Sequence, residues 1–275
     1  VTTDYRKAHG VNWSALKHID VSPLHYRHRL DHPTPPTAAM QAGTLAHLAT
    51  LEPARFAASV VTPPDDVLGK GGRRSTKAYR EWADAQPDDV TIASTSEIEA
   101  AQAIADAVRA HPVAGPMLAE ARCEVPMFWT DPATGLECKG LADALTVIDG
   151  RPVLVDLKKA RAVIPRAFER QAATLGYHGQ MAHYAAGVEA VTGTAPDVYI
   201  VAVEGDAPHD VAVFHLDADA LWAGEQYRRR LLDRLAECIE RDDWPGVAPD
   251  VQPLTLPAWC FPDDDDPMTA IRIDT

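Results

Sequence analysis

The spacing of apolar residues along this chain shifts from helical to strand-like and back. The opening VNWSALKHIDVSPLHYRHRL sets them at helical intervals, with Ser14 placed to cap a first turn and Pro23 to start a second, so two short helices are expected. After the proline-broken HPTPPT, the run TAAMQAGTLAHLATLEPARF predicts a buried helix ended before Pro53, with His47 in its interior. KGGRRSTKAYREW reads as a mobile glycine loop leading into a helix, and SEIEAAQAIADAVRAHP as a capped amphipathic helix ended before Pro112.

From Cys123 the period falls to two. EVPMFWT, the turn DPATG, LECKGLADALTVI, the turn DG and RPVLVDLKKA predict three strands in an antiparallel meander. FERQAATLGYHGQMAHYAAGVEAVTG then predicts one helix, DVYIVAVEG a further strand, and DADALWAGEQYRRRLLDRLAECIERDDWP a long helix. No repeat or linker divides the chain, so one domain is expected over 1–262. An irregular acidic tail should follow over 263–275, carrying the successive aspartates Asp263 to Asp266.

Composition narrows the function. With 46% apolar residues in 275, the chain can bury a sizeable core. Forty acids against twenty-six Lys and Arg give a net charge of −14, which argues against a protein that coats polyanions. Any nucleic-acid contact must be local, and Lys70, Arg73, Arg74, Lys77 and Arg80 form the one concentrated basic patch, a candidate DNA-binding element. No apolar run approaches the roughly 18 to 20 residues of a membrane span, and VTTDYRKAHG lacks the apolar core of a secretory leader, so a cytoplasmic protein is expected. The four cysteines are scattered without ligand-like spacing and read as packed, reduced thiols.

The chemistry concentrates in the meander. Asp143 ends GLAD and Asp156 with Lys158 ends VLVDLKK, so adjacent hairpin strands bring two carboxylates and an amine together, with Asp156 and Lys158 on one face. Two converging carboxylates repel, and a divalent cation such as Mg²⁺ relieves that repulsion while using both as oxygen ligands. An isolated D-x-K is usually a surface feature. Here it follows the apolar run VLV, where unpartnered charge is expensive. His47 alone reads as a hydrogen-bonded core histidine, and Glu124 and Gln180 alone as structural.

Taken in order, His47, Glu124, Asp143, Asp156-x-Lys158 and Gln180-x-x-x-Tyr184 resemble the PD-(D/E)xK nuclease superfamily, and most of all the nuclease domain of exodeoxyribonuclease VIII (RecE). The likeness runs from SPLHYRHRL through GTLAHLATLEPARF, FWTDPATGLECKGLAD, VLVDLKKA and YHGQMAHYAAG to WPGV and LTLPAW; Ala142 stands where the superfamily name has proline. It implies an α/β (α+β) restriction-endonuclease-like core, a central mixed β-sheet flanked by helices, with a helical N-terminal part. It implies His47, Asp143 and Asp156 as ligands of Mg²⁺ (or Mn²⁺) and Lys158 as the residue that orients or activates water. Glu124 would stand behind them or serve a second metal, and Gln180 and Tyr184 would lie beside the site. The implied activity is a metal-dependent exodeoxyribonuclease that degrades linear double-stranded DNA 5′-to-3′ and leaves 3′ overhangs for a RecT-like single-strand annealing protein. A homo-oligomeric ring, a tetramer, goes with it. The alternatives are a Cas4-like or helicase-associated nuclease of the same superfamily, weakened because only Cys238 and Cys260 follow the core, or a non-catalytic DNA-end-binding module.

Overall fold

The computed structural model describes residue 5 and residues 7–87, 89–248 and 250–261. The expected aspartate run 263–266 lies outside the described residues. Asn12, already extended at φ −107°, accepts the Ala15 N–H and starts α1 (Trp13–Leu16). Ser14 donates its hydroxyl to Asn12 Oδ1 instead of capping, because the chain is helical by Trp13. A 3₁₀ turn, Lys17–Asp20, leads to α2 (Pro23–Asp31), which Pro23 opens as expected.

The next helix, α3 (Ala38–Leu51), stops at Glu52 because Pro53 begins α4 (Pro53–Ser59). Only its second half is buried: Leu45, Ala46, Leu48 and Leu51 face inward, while Ala38 to Gln41 face solvent. A two-residue parallel pairing of β1 (Val60–Val61) with β2 (Thr91–Ile92) brackets α5 (Lys77–Asp84). Ser94 and Glu97 form a reciprocal capping box that starts α6 (Thr95–Ala110), and α7 (Ala114–Ala119) follows.

The three expected strands are β3 (Arg122–Thr130), β4 (Glu137–Ile148) and β5 (Arg151–Ala160), paired antiparallel as a meander. The single helix expected next is two, α8 (Pro165–Leu175) and α9 (Tyr177–Thr192), because Gly176 takes φ +69° between them. They carry the chain to β6 (Asp197–Glu204), parallel to β5, and an unforeseen short strand, β7 (Val211–His215), closes the order β3-β4-β5-β6-β7. The long helix α10 (Ala218–Arg241) is capped by Asp217.

A mixed sheet flanked by helices is therefore present. β5 and β6 run through its middle and are buried almost continuously, from Val153 to Leu157 and from Val198 to Val203. On one face, α1, α8, α9 and α10 pack Trp13, Leu16, Phe168, Met181, Leu231 and Leu235 against Met127, Leu154 and Ile200. On the other, α3, α6 and α7 pack Ala46, Ile104, Val108 and Met117 against Val155, Leu157 and Val201. Cys138 and Cys238 are buried thiols and Cys123 is half-buried, whereas Cys260 is exposed because the 251–261 segment leaves the core.

Candidate active site

The candidate site lies where the sheet loses its regularity. Val125 pairs with Ala142 and Cys123 with Ala144, which puts Glu124 opposite Asp143 in register. Glu124 has φ +53°, a left-handed conformation that L side chains rarely adopt and that marks local strain. The strands turn over at this point. Val125, Met127 and Ala142 pack with the α9–α10 core, but Cys123 and Ala144 pack with the α6–α7 core. The β4–β5 pairing also ends here, at Ala144 and Val155, and Asp143 Oδ2 accepts the Leu157 N–H at 2.8 Å. A side-chain carboxylate thus takes the place of a ladder carbonyl.

Into this opening α3 brings His47, whose Nδ1 stands 3.5 Å from Asp143 Oδ2. One ligand atom each from His47, Glu124 and Asp143 lie within 4.8 Å of one another. Burial, reinforced by Asp143 and Glu52 and opposed by His47 and Arg55, raises the Glu124 carboxyl to about 7. Glu52 and Arg55 were not anticipated. They form an ion pair of 2.7 Å at the junction of α3 and α4.

Asp156 points to the α9 side. It is 1% exposed, and Lys158 Nζ lies 2.5 Å from its Oδ2 as an ion pair, leaving neither carboxylate oxygen with an aligned hydrogen bond. Burial raises the Asp156 pKa against the pull of Lys158. Burial works against the Lys158 ammonium, yet Asp156 and Asp143 outweigh it and hold its pKa above the ordinary lysine value. Lys158 is therefore a charged donor and not a base. The Tyr177 ring lies 5.1 Å beneath Lys158 Nζ, a contact the sequence reading missed although Tyr177 opens the YHGQ stretch. Gln180 donates to the Tyr184 hydroxyl at 3.3 Å, and burial, reinforced by Asp156, raises the Tyr184 pKa. Gly140 packs closely beside it: a Cβ there would lie 3.1 Å from Tyr184 Cδ1, so the ring would have to give by a few tenths of an ångström.

The structure brings part of the expected metal set together. Glu124, expected behind the ligands or at a second metal, lies close to His47 and Asp143. Asp156, expected as a ligand, is engaged by Lys158 and is outside the described group. The residues fit a divalent cation. One imidazole nitrogen and two carboxylate oxygens converge within 4.8 Å of one another, and carboxylates so close repel unless a cation stands between them. His47, Glu124 and Asp143 would hold the ion.

The basic patch makes its contacts locally. Gly71 and Gly72, both left-handed, turn the loop before α5, and Arg74 is tied to Glu97 at the start of α6. Lys77 pairs with Glu81 at 3.5 Å, and Arg80 donates to the Ser75 and Thr76 carbonyls. Among the described residues only Lys70 and Arg73 of the five make no ion or side-chain hydrogen bond, and none of the five bonds to the site residues.

Comparison with solved structures agrees on the fold. The crystal structure of a "Putative exonuclease" from Eubacterium rectale superposes with a TM-score of 0.55 at 14% identity, covering 82% of this chain and 80% of that one. Another, of SSO0001, reaches a TM-score of 0.29 at 16% identity over 45% of this chain and 52% of that one, too remote to bear on the fold. Among curated proteins none matches by sequence. The model of the PDDEXK-like domain of unknown function (DUF3799) matches residues 12–254, spanning all the site residues, and the chain belongs to that family.

Proposed function

We propose that this chain is a divalent-metal-dependent deoxyribonuclease that degrades linear duplex DNA from its ends. The observation that carries the reading is the convergence of His47, Glu124 and Asp143 beside the Asp156–Lys158 pair, where β4 parts from β5. Membership of a PDDEXK-like family and the architecture shared with the "Putative exonuclease" support it. The 5′-to-3′ polarity, the 3′ overhang, a ring-shaped tetramer and a RecT-like annealing partner extend the reading from the resemblance to RecE.

A bound Mg²⁺ or Mn²⁺ supplies neutralisation of phosphoryl charge and a more acidic attacking water. The protein's own groups do the positioning. Asp143 is locked by the Leu157 amide, so its free oxygen and His47 face the opening in a fixed direction. Lys158, held protonated by Asp156 and braced on Tyr177, offers N–H bonds to the attacking water or to a non-bridging phosphate oxygen. Gln180 and Tyr184 close the α9 side and exclude stray water.

The test uses linear duplex labelled at either end, a closed circle, Mg²⁺ or EDTA, and Asp143→Asn. Release of the 5′ label first, an intact circle, and loss of cleavage in EDTA and in the variant are expected. Cleavage that persists in EDTA or in Asp143→Asn overturns the metal-site reading.

A further inference from the structure

A cleft of about 870 Å³ opens on the α9–α10 side, between the 3₁₀ turn after α1, the α8–α9 junction and α10. Lys17, Asp20, His178, Tyr227 and Arg230 line it. The Tyr227 ring is held in place: Trp13 meets it edge-on at 5.5 Å, His178 lies nearly parallel to it at 5.4 Å, and the Arg230 guanidinium stands 5.3 Å from its centroid. Glycines make room for it. A Cβ on Gly179 would come within 2.6 Å of Tyr227 Cδ1 and 2.3 Å of Trp13 Cη2.

The cleft adjoins the candidate active site. Gly176 and His178 line it, while Tyr177 between them turns the other way and packs against Lys158. Lys17 is held below the ordinary lysine value by partial burial and then by repulsion from Lys158 and Arg29, which places further cations close by.

We propose that this cleft is a nucleotide subsite of the nuclease, seating one phosphate of a DNA strand between Lys17 and Arg230 and one base against the Tyr227–His178 pair. The inference rests on the nuclease reading and adds to it the place where the strand is held. Flat aromatic groups beside cations bind single strands without regard to sequence. Charge sets the strength. Asp20 accepts from Arg230 at 3.0 Å and from the Tyr227 hydroxyl at 3.1 Å, so two cations stand against one carboxylate. The cleft neutralises about one phosphate, for which single-strand binding falls with salt at a slope of about 0.7.

Fluorescence anisotropy of a fluorescein-labelled oligothymidylate in EDTA tests this without turnover. Lys17→Gln and Arg230→Gln are expected to weaken binding about tenfold each and to flatten the salt slope by about 0.7. Tyr227→Leu should weaken binding at an unchanged slope. Because Tyr227 also packs on Trp13, the two cation variants, with thermal melting as a check on folding, carry the decision. Absence of binding by the wild type, or wild-type affinity in both folded cation variants, overturns the subsite. If binding responds as expected but linear duplex survives Mg²⁺ and Mn²⁺, the hydrolytic reading falls and the cleft stands. Cleavage with unaltered binding sinks the cleft alone.

Discussion

Glu124 combines two unfavourable states, a left-handed backbone that costs about 1 kcal/mol or more and a half-buried carboxyl facing Asp143. A cation relieves the second. Since the Glu124 carboxyl is raised to about 7, it must lose a proton before it can serve as a ligand, and protons compete with metal below that pH. Mn²⁺ affinity measured by calorimetry is expected to fall about tenfold per pH unit below 7. Glu124→Gln should weaken the binding and flatten that dependence. Lys158 acts differently: Lys158→Ala should lower cleavage at least about a hundredfold while Mn²⁺ still binds. An equal loss of both would make Lys158 a structural prop. At this scale the residue types were legible in the sequence, but the division of labour was not. Period-two alternation puts Asp143 and Asp156 together only if the strands keep their faces, and the turnover at Glu124 leaves no mark in the residue pattern.

The β3–β4 hairpin is fastened to α10 through Asp131, at the head of the DPATG turn. Its fully buried carboxylate accepts from Thr134, from Arg228 at 3.2 Å and from both terminal nitrogens of Arg229 at 2.9 Å. Burial opposes the charge, but Arg229 and Thr134 hold the Asp131 pKa well below the usual carboxylate range. A depressed folded pKa means the contribution is complete above the unfolded value, near pH 4, and fades as acid protonates the group below it. Asp131→Ala should cost about 3 kcal/mol in urea unfolding, the low end for breaking a buried pair. The reason is that Glu225 still holds Arg228 and Asp233 still holds Arg229. The meander was readable because tight turns and alternation coincide there. β7 was not, although the turn residues of GDAPHD stand before it: VAVFH is five half-buried or exposed residues, too short and too little buried to stand out as a strand. The α8–α9 break was hidden as well, since an isolated glycine inside an apolar helical run reads as continuous helix until the chain must bend to place Tyr177.

Across the whole molecule, a net charge of −14 sits on a fold whose candidate chemistry wants a polyanion. Self-repulsion at that charge is screened by salt, so the melting temperature should rise by a few degrees between low and physiological ionic strength. A flat or falling profile in scanning calorimetry would show instead that local ion pairs, such as those of Asp131, dominate. The layered architecture followed from the order of elements, which the sequence pattern carried in outline; the tie of the basic loop to the start of α6 did not, because it depends on Arg74 meeting Glu97 across the fold. The turnover at Glu124 and Asp143 ties the fate of these two acids to both interiors at once. Shaving Ile104 on one side or Leu231 on the other should shift ion capture, although neither touches a ligand. If a cation sits there, a tug between two oily compartments would tune how tightly it is gripped, and evolution or an engineer could adjust that grip without altering a single donor atom.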